Sequence, residues 1–247
     1  MSLTVVYIEV IVRLGAEPIE ALVRELPDHA FARLATELSE ATTVDQTAAQ
    51  IVAFGMKTVG AQFAGITMIR GRGKFETVGA SEPLVVDVDQ LQYDLREGPG
   101  VDVATTAQVV MSVDLAADDR WPGWGPAAVR LGFRSILSAE LHAGGRRIGA
   151  INLYGDKIRQ FTNEDADVAQ LFASHAAAAL AAVSLREGLQ NALDTRTVIG
   201  QAQGILMGRF GIDADRAFSI LRRYSQDKNV KLTDVARDLI ITMELPD

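Results

Sequence analysis

"SILSAELHAGGRRIGAINLYG", Ser135 to Gly155, reads as two strands around a Gly-Gly turn, and its antiparallel pairing sets the fold class. Working outward, GITMIR (65–70), the glycine-rich turn at Gly71–Gly73 and KFETVGA (74–80) form a second hairpin. QVVMSVDL (108–115) is a third strand candidate, and GPAAVRLG (125–132) reads as a helix lying between. Upstream, residues 29–60 carry two helical patterns. The first places Phe31, Leu34, Ala35 and Leu38 on one face; the second opens at Thr43 with Gln46 as a capping box and buries Ala48, Ile51, Val52 and Met56. Helices, a hairpin, a loop-rich crossover, another hairpin and a closing helix describe an α+β domain with one antiparallel sheet flanked by helices.

The 247 residues, 48% of them hydrophobic, suffice for one large or two ordinary domains with a real core. The chain has no cysteine, which excludes disulfides, thiolate metal sites, thiol nucleophiles and a thioether-linked chromophore. The apolar run Leu3–Leu14 has no preceding Lys or Arg, is interrupted by Glu9, and reads as an ordinary strand or helix rather than a leader. Other apolar runs are too short or too charged to span a bilayer, so the expectation is a cytoplasmic protein without membrane contact. Residues 1–183 hold 15 basic and 23 acidic side chains, whereas residues 184–247 hold nine of each, so the whole net charge of −8 sits in the larger part.

The closing helix begins near Thr162 or Asn163, with Asp165 completing a capping box. Val168, Phe172, His175, Ala178, Ala182, Leu185, Leu189, Ala192, Ile199 and Leu206 then follow at close to a heptad period. Unbroken to Arg209, this helix would span roughly 70 Å. One small domain cannot bury it, so it is expected to pair with the same helix of a second subunit and to carry a second module. Gly188 and Arg196 are weak points in that seam, where a kink can form.

Beyond it, IDADRAFSILRRYSQ places Ala214, Ala217, Phe218, Leu221 and Tyr224 on one stripe, and TDVARDLIITM places Val235, Ala236, Leu239, Ile240 and Met243 on another, with Thr233 as N-cap. With the end of the long helix they make a three-helix unit of about 50 residues. Gly200, Gly204 and Gly208 recur every four residues in the first helix, where each costs about 1 kcal/mol relative to Ala. Close approach of the unit's own helices is one use for such a stripe; contact of a glycine face with a ligand is the other.

The segment from Ile199 to Met243 resembles the ANTAR domain, the RNA-binding three-helix module of bacterial antitermination regulators. The resemblance rests on Ala202-x-Gly204-x-Leu206-Met207, on Ala217-Phe218-x-x-Leu221-Arg222 and Ser225, and on Asn229, Lys231-Leu232 and Val235-Ala236. Residues 29–183 are similar to a GAF sensor domain through QYDLREGPGVD (92–102) and GAINLY (149–154), which leaves 184–198 as a coiled-coil-like connector, 199–247 as the ANTAR unit, and 1–28 without an assigned role.

The resemblance implies a signal-responsive antitermination regulator that binds RNA hairpins in nascent transcripts, acts as a homodimer through the long helix, and catalyses nothing. The implied RNA-binding residues are Gly204, Arg209, Arg222, Arg223, Tyr224, Ser225, Asn229, Lys231 and Thr233. Residue chemistry is compatible: Arg and Lys neutralise phosphates, Asn and Ser reach base edges, and Tyr224 either stacks a splayed base or fills the core. Arg216, Ser219, Arg223 and Gln226 face away from the apolar stripe, Arg222 sits at its edge, and Lys228, Asn229 and Lys231 occupy the following turn.

Other functions find less support in the same residues. Gly204 and Gly208 are followed by Arg209-Phe210 inside a helix, which does not make a nucleotide-binding loop. VKLTDVARDLI resembles the first helix of a helix-turn-helix, but a recognition helix would have to follow it. A protein partner at the C-terminal helices is the competing reading. His29, His142 and His175 are too scattered to suggest a metal cluster; His175 reads as packed or hydrogen-bonded, and a haem-ligand role for His142 is a minor alternative. Asp118-Asp119 reads as a solvated loop rather than an acid/base couple. The sensor domain lacks the N-K-x-F-D-E arrangement of cyclic-nucleotide-binding members. No cofactor is expected, and a small ligand in the sensor domain is possible.

Overall fold

The computed structural model describes Thr36, Leu38 and residues 40–244. Residues 1–28, and Phe31, Leu34 and Ala35 of the first expected helix, lie outside the described residues; Leu38 of that helix is helical and buried. The chain divides into two compact units, one up to Ser184 and one from Leu185.

In the first unit, α1 (Val44–Val59) starts where the Thr43 hydroxyl accepts the Gln46 N–H at 3.2 Å and stops at Gly60, whose φ of 66° ends the helix in the left-handed region. Strands β1 (Phe63–Arg70) and β2 (Lys74–Ala80) form the first hairpin. After the crossover come β3 (Val109–Ser112), β4 (Ser135–Ala143) and β5 (Arg146–Gly155), the last two joined by Gly144 and Gly145, both at positive φ as a tight hairpin turn requires. The sheet order is β2-β1-β5-β4-β3, with every pair antiparallel.

The crossover from β2 to β3 runs from one sheet edge to the other and carries two helices, α2 (Pro83–Leu95) and α3 (Pro99–Thr105), where the sequence suggested loop. Both begin on a proline, which has no N–H to lose at a helix start and whose φ is already helical. A further helix, α4 (Trp124–Arg130), precedes β4, with the Glu97 carboxylate accepting the N–H groups of Gly123 and Trp124 at its start.

Alternation along the strands sorts the interior into two cores. One face of the sheet, with Ile66, Met68, Leu137, Ile151 and Leu153, packs against α1 and the start of the long helix α5 (Asn163–Phe210). The other face, with Ile136 and Tyr154, packs against Val85, Val88, Trp121, Trp124 and Phe133.

The start of α5 is a reciprocal capping box: Asp165 Oδ2 accepts the Thr162 N–H at 2.9 Å and Thr162 Oγ1 accepts the Asp165 N–H at 3.2 Å. The helix runs unbroken through Gly188 and Arg196 and ends at Gly211, whose N–H reaches the Met207 carbonyl. By length and composition alone it is apolar enough to cross a membrane, but Ala169, Phe172, Ala173, Ala176, Ala177, Leu180 and Val183 are buried in the sheet core.

The heptad seam read from the sequence divides. Phe172 is used by the sheet core and Leu206 by the C-terminal core. His175, expected to be packed or hydrogen-bonded, keeps an interaction while lying on the exposed side with Ala178, Ala182, Leu185, Leu189 and Ala192, and Leu171 joins them at the same spacing.

Candidate functional site

In the second unit the end of α5, α6 (Ala214–Lys228) and α7 (Leu232–Thr242) bury Ala202, Leu206, Ala217, Leu221, Val235, Ala236 and Leu239. Asp213 caps α6 by accepting the Arg216 N–H at 2.7 Å. Three expectations fail here. Ala214, Phe218 and Met243 are exposed rather than packed: the α6 contact is narrower than the sequence stripe, and Met243 follows the end of α7 at φ 58°. Thr233 is inside α7, whose N-cap is Lys231: its extended backbone turns a carbonyl to the N–H groups of Asp234 and Val235.

The third concerns the glycines. A Cβ placed on Gly200, Gly204 or Gly208 meets nothing within 4 Å, so their lack of side chains serves no approach between this unit's own described helices. The glycine face of α5 is open.

The predicted contact residues fall into two groups. Arg222, Arg223, Asn229 and Lys231 are exposed near the end of α6 and the turn into α7, with Lys228 beside them. Arg222 and Lys231 form no ion pair among the described residues, while Arg223 lies 3.5 Å from Asp227 in a largely solvated pair. In the other group the polar atoms have structural work. Ser225 Oγ donates to the Val230 carbonyl at 2.6 Å and the Val230 N–H returns to the Ser225 carbonyl, and Asn229 of the exposed group also ends α6 with φ 53°. Arg209 donates to the Met243 carbonyl, tying α5 to the end of α7. Tyr224 is half-buried against the core, and Gly204 lies on the open face of α5.

The interior of the first unit holds a polar cluster that sequence reading missed. Asp89 of α2, fully buried, accepts hydrogen bonds from Tyr154 Oη at 2.5 Å, Asn152 Nδ2 at 3.1 Å, Gln92 Nε2 at 3.2 Å and Thr77 Oγ1 at 3.1 Å. Tyr93 bridges Thr67 and Thr77, Ser138 donates to Asn152, and Gln92 Oε1 accepts the Gly100 N–H. Burial pushes the Asp89 carboxyl up to about 6, against the pull of its four donors. Burial, then the facing Asp89 carboxylate, likewise raises Tyr154.

The cluster is close-packed. A Cβ on Gly100 would stand 2.7 Å from Asn152 Oδ1, one on Gly65 2.8 Å from Asp89 Oδ2, and one on Gly98 would collide with Gln92. These glycines let α2, α3 and the sheet close over the polar groups. Within the expected solvated loop, Arg120 clamps Asp118 at 2.6 Å, and that hydrogen bonding holds the carboxyl at about 2; Asp119 is exposed.

A family model described as "GAF domain" matches residues 41–181, and one described as "ANTAR domain" matches residues 187–240. No curated protein matches the chain. Among solved structures, the GAF domain of Acinetobacter phosphoenolpyruvate-protein phosphotransferase is 11% identical with a TM-score of 0.52, covering 64% of this chain and 95% of that one. Free methionine-R-sulfoxide reductase from Neisseria meningitidis, solved with its substrate, is 18% identical with a TM-score of 0.53, covering 70% of this chain and 96% of that one. The photosensory core of a Stigmatella aurantiaca phytochrome is 12% identical with a TM-score of 0.53, covering 84% of this chain and 45% of that one. At these identities the likeness is one of fold.

Proposed function

As a chain that belongs to the GAF-domain family and carries a C-terminal ANTAR domain, this protein is a regulator of the sensory and antitermination kind, and we propose that it binds RNA hairpins in nascent transcripts in response to a signal at the GAF domain. The observation that carries the reading is the exposed basic group at the end of α6 and the following turn, Arg222, Arg223, Lys228 and Lys231, within the segment matched as ANTAR. Phosphate neutralisation by these side chains supplies affinity, and Asn229 supplies an amide for base edges. Ser225 and Arg209 act in this reading by holding the α6–α7 turn and the helix end, Thr233 lies in the first turn of α7, and Tyr224 and Gly204 offer a ring edge and an open backbone.

In this proposal residues 29–183 are the sensor, 184–198 the connector and 199–247 the RNA-binding unit, working in the cytoplasm without catalysis. Two copies pair through the exposed heptad of α5, from Leu171 to Ala192, so that a signal changing its packing alters the separation of the two RNA-binding units. The signal is a small ligand or a partner at the GAF domain.

The test is binding of the full chain, at recorded oligomeric state, to tandem RNA hairpins from leader regions near its own gene, with matching DNA as control. RNA-selective binding should weaken with salt at about −0.7 in log–log slope per phosphate neutralised. Arg222→Ala with Lys231→Ala should lower both affinity and slope. Affinity indifferent to salt would favour the competing reading, a protein partner on the apolar surface around Phe218.

A further inference from the structure

The first unit carries a second polar site, at the edge of the sheet beside α5. An open cleft of about 510 Å³ lies between α5 and the β4–β5 hairpin. One wall is Gln170 and Ser174, four residues apart on α5; the other is His142, Arg146 and Arg147 of the hairpin, with Gln108 and Glu140 at the β3 edge. We propose that this cleft binds a small anion of the carboxylate or phosphate class, seated on the Arg146 guanidinium.

Charge bookkeeping inside the cleft points to an anion. Arg147 donates Nε to Glu140 at 2.8 Å and its terminal nitrogens to the Thr105 and Thr106 carbonyls at the end of α3. That pair cancels the cleft's one carboxylate and leaves Arg147 as a wall. Arg146 has no ion pair among the described residues, so the cleft's uncompensated charge is positive, in a part of the chain where acids outnumber bases 23 to 15. A guanidinium presents a planar fork that matches two oxygens of a carboxylate or phosphate.

The remaining lining sets the ligand's size and polarity. His142 stands opposite Arg147 in the strand register, and Gln108, Gln170 and Ser174 add amide and hydroxyl groups for the other end of a small polar ion. Gln170 Nε2 lies 3.3 Å from Gln108 Oε1, so the two walls already meet through one weak bond that a ligand can replace. The volume fits a small metabolite, and the polar lining disfavours an apolar one. An anion here would join α5 to the sheet edge, and the inference stands without the RNA reading.

Calorimetric titration of the full chain with potassium phosphate and, separately, potassium citrate at matched ionic strength tests it. Expected is saturable one-to-one binding of at least one probe, with a dissociation constant of about 1 mM or below. Arg146→Ser should weaken it about tenfold or more, and Ser174→Leu, which fills the cleft, should abolish it. Arg72→Ser on the distant β1–β2 turn should leave it unchanged. Circular dichroism checks folding, and His142→Ala replaces any variant that fails to fold. No saturation by either probe up to about 20 mM, equal affinity in Arg146→Ser, or equal loss in Arg72→Ser overturns the assignment.

Discussion

Asp89 Oδ1 and Tyr154 Oη stand 2.5 Å apart in the closed interior of the GAF domain, an acid on the crossover helix α2 held by a phenol on the central strand β5. The bond joins the crossover to the sheet. Burial of the same carboxyl, outweighing this bond, makes stability depend on pH, since the folded carboxyl titrates at about 6 rather than the usual 3.8.

The sign follows from the direction of the change. Between pH 3.8 and about 6 the folded chain keeps a proton that the unfolded chain has released, so this group's contribution is full below that window and is lost as pH rises through it. A rise of that size corresponds to about 3 kcal/mol. In Asp89→Asn the amide oxygen can accept from Tyr154, Asn152 and Gln92, while its NH2 meets Thr77 as acceptor. Urea unfolding should therefore show the variant gaining on the wild type by about 2–3 kcal/mol between pH 4 and pH 7.5. A stability difference that stays flat across that range would locate the titration elsewhere.

Tyr154→Phe removes a donor to Asp89 and the acceptor of Gln92 Nε2 at once. Both partners stay buried, so the expected cost is about 2–4 kcal/mol, and the Asp89 midpoint should rise further because a pull toward the charged form is gone. Carboxyl titration followed by NMR reads the second effect, and an unchanged or lowered midpoint would contradict the assigned network.

Much of the sheet was legible because hairpins announce themselves: Gly144-Gly145 supply the positive φ that the turn demands, and flanking residues alternate. The crossover was not, because Pro83 and Pro99 read as breaks when they are helix starts, and the valines of PLVVDVDQLQYDL mask a helix. The Asp89 cluster joins residues far apart in sequence, and no local pattern marks Thr67, Thr77, Asp89 and Asn152 as neighbours. The one available signal was the QYDLREGPGVD motif, whose Gln92, Gly98 and Gly100 all touch the cluster. The basic group at α6 was legible by position, whereas the structural bonds of Ser225 and Arg209 required the fold.

The open glycine face separates stability from function. With no atom within 4 Å of a Cβ, Gly204→Ala should stabilise the C-terminal unit by about 0.5–1 kcal/mol through helix propensity. If the face touches RNA, the same variant should bind the hairpins less tightly while melting at higher temperature. A lower melting temperature would instead reveal a close packing partner absent from the isolated chain.

The heptad of α5 makes the last prediction. Leu185 and Leu189 are 66% and 58% exposed, one turn apart on the seam that begins at Leu171, and neither belongs to the sheet core or the C-terminal core. Two apolar side chains of that size gain about 1.5–3 kcal/mol each when fully buried, so pairing of two copies along this seam is favoured by several of them acting together. Leu185→Lys with Leu189→Lys would set like charges against each other across a two-fold pair while leaving both cores untouched. Sedimentation should then show a shift from dimer to monomer with unchanged far-ultraviolet circular dichroism, and RNA affinity should fall because two binding units are no longer held together. A variant that sediments as the wild type does would remove α5 as the dimer seam, and with it the proposed route from the GAF domain to the ANTAR units.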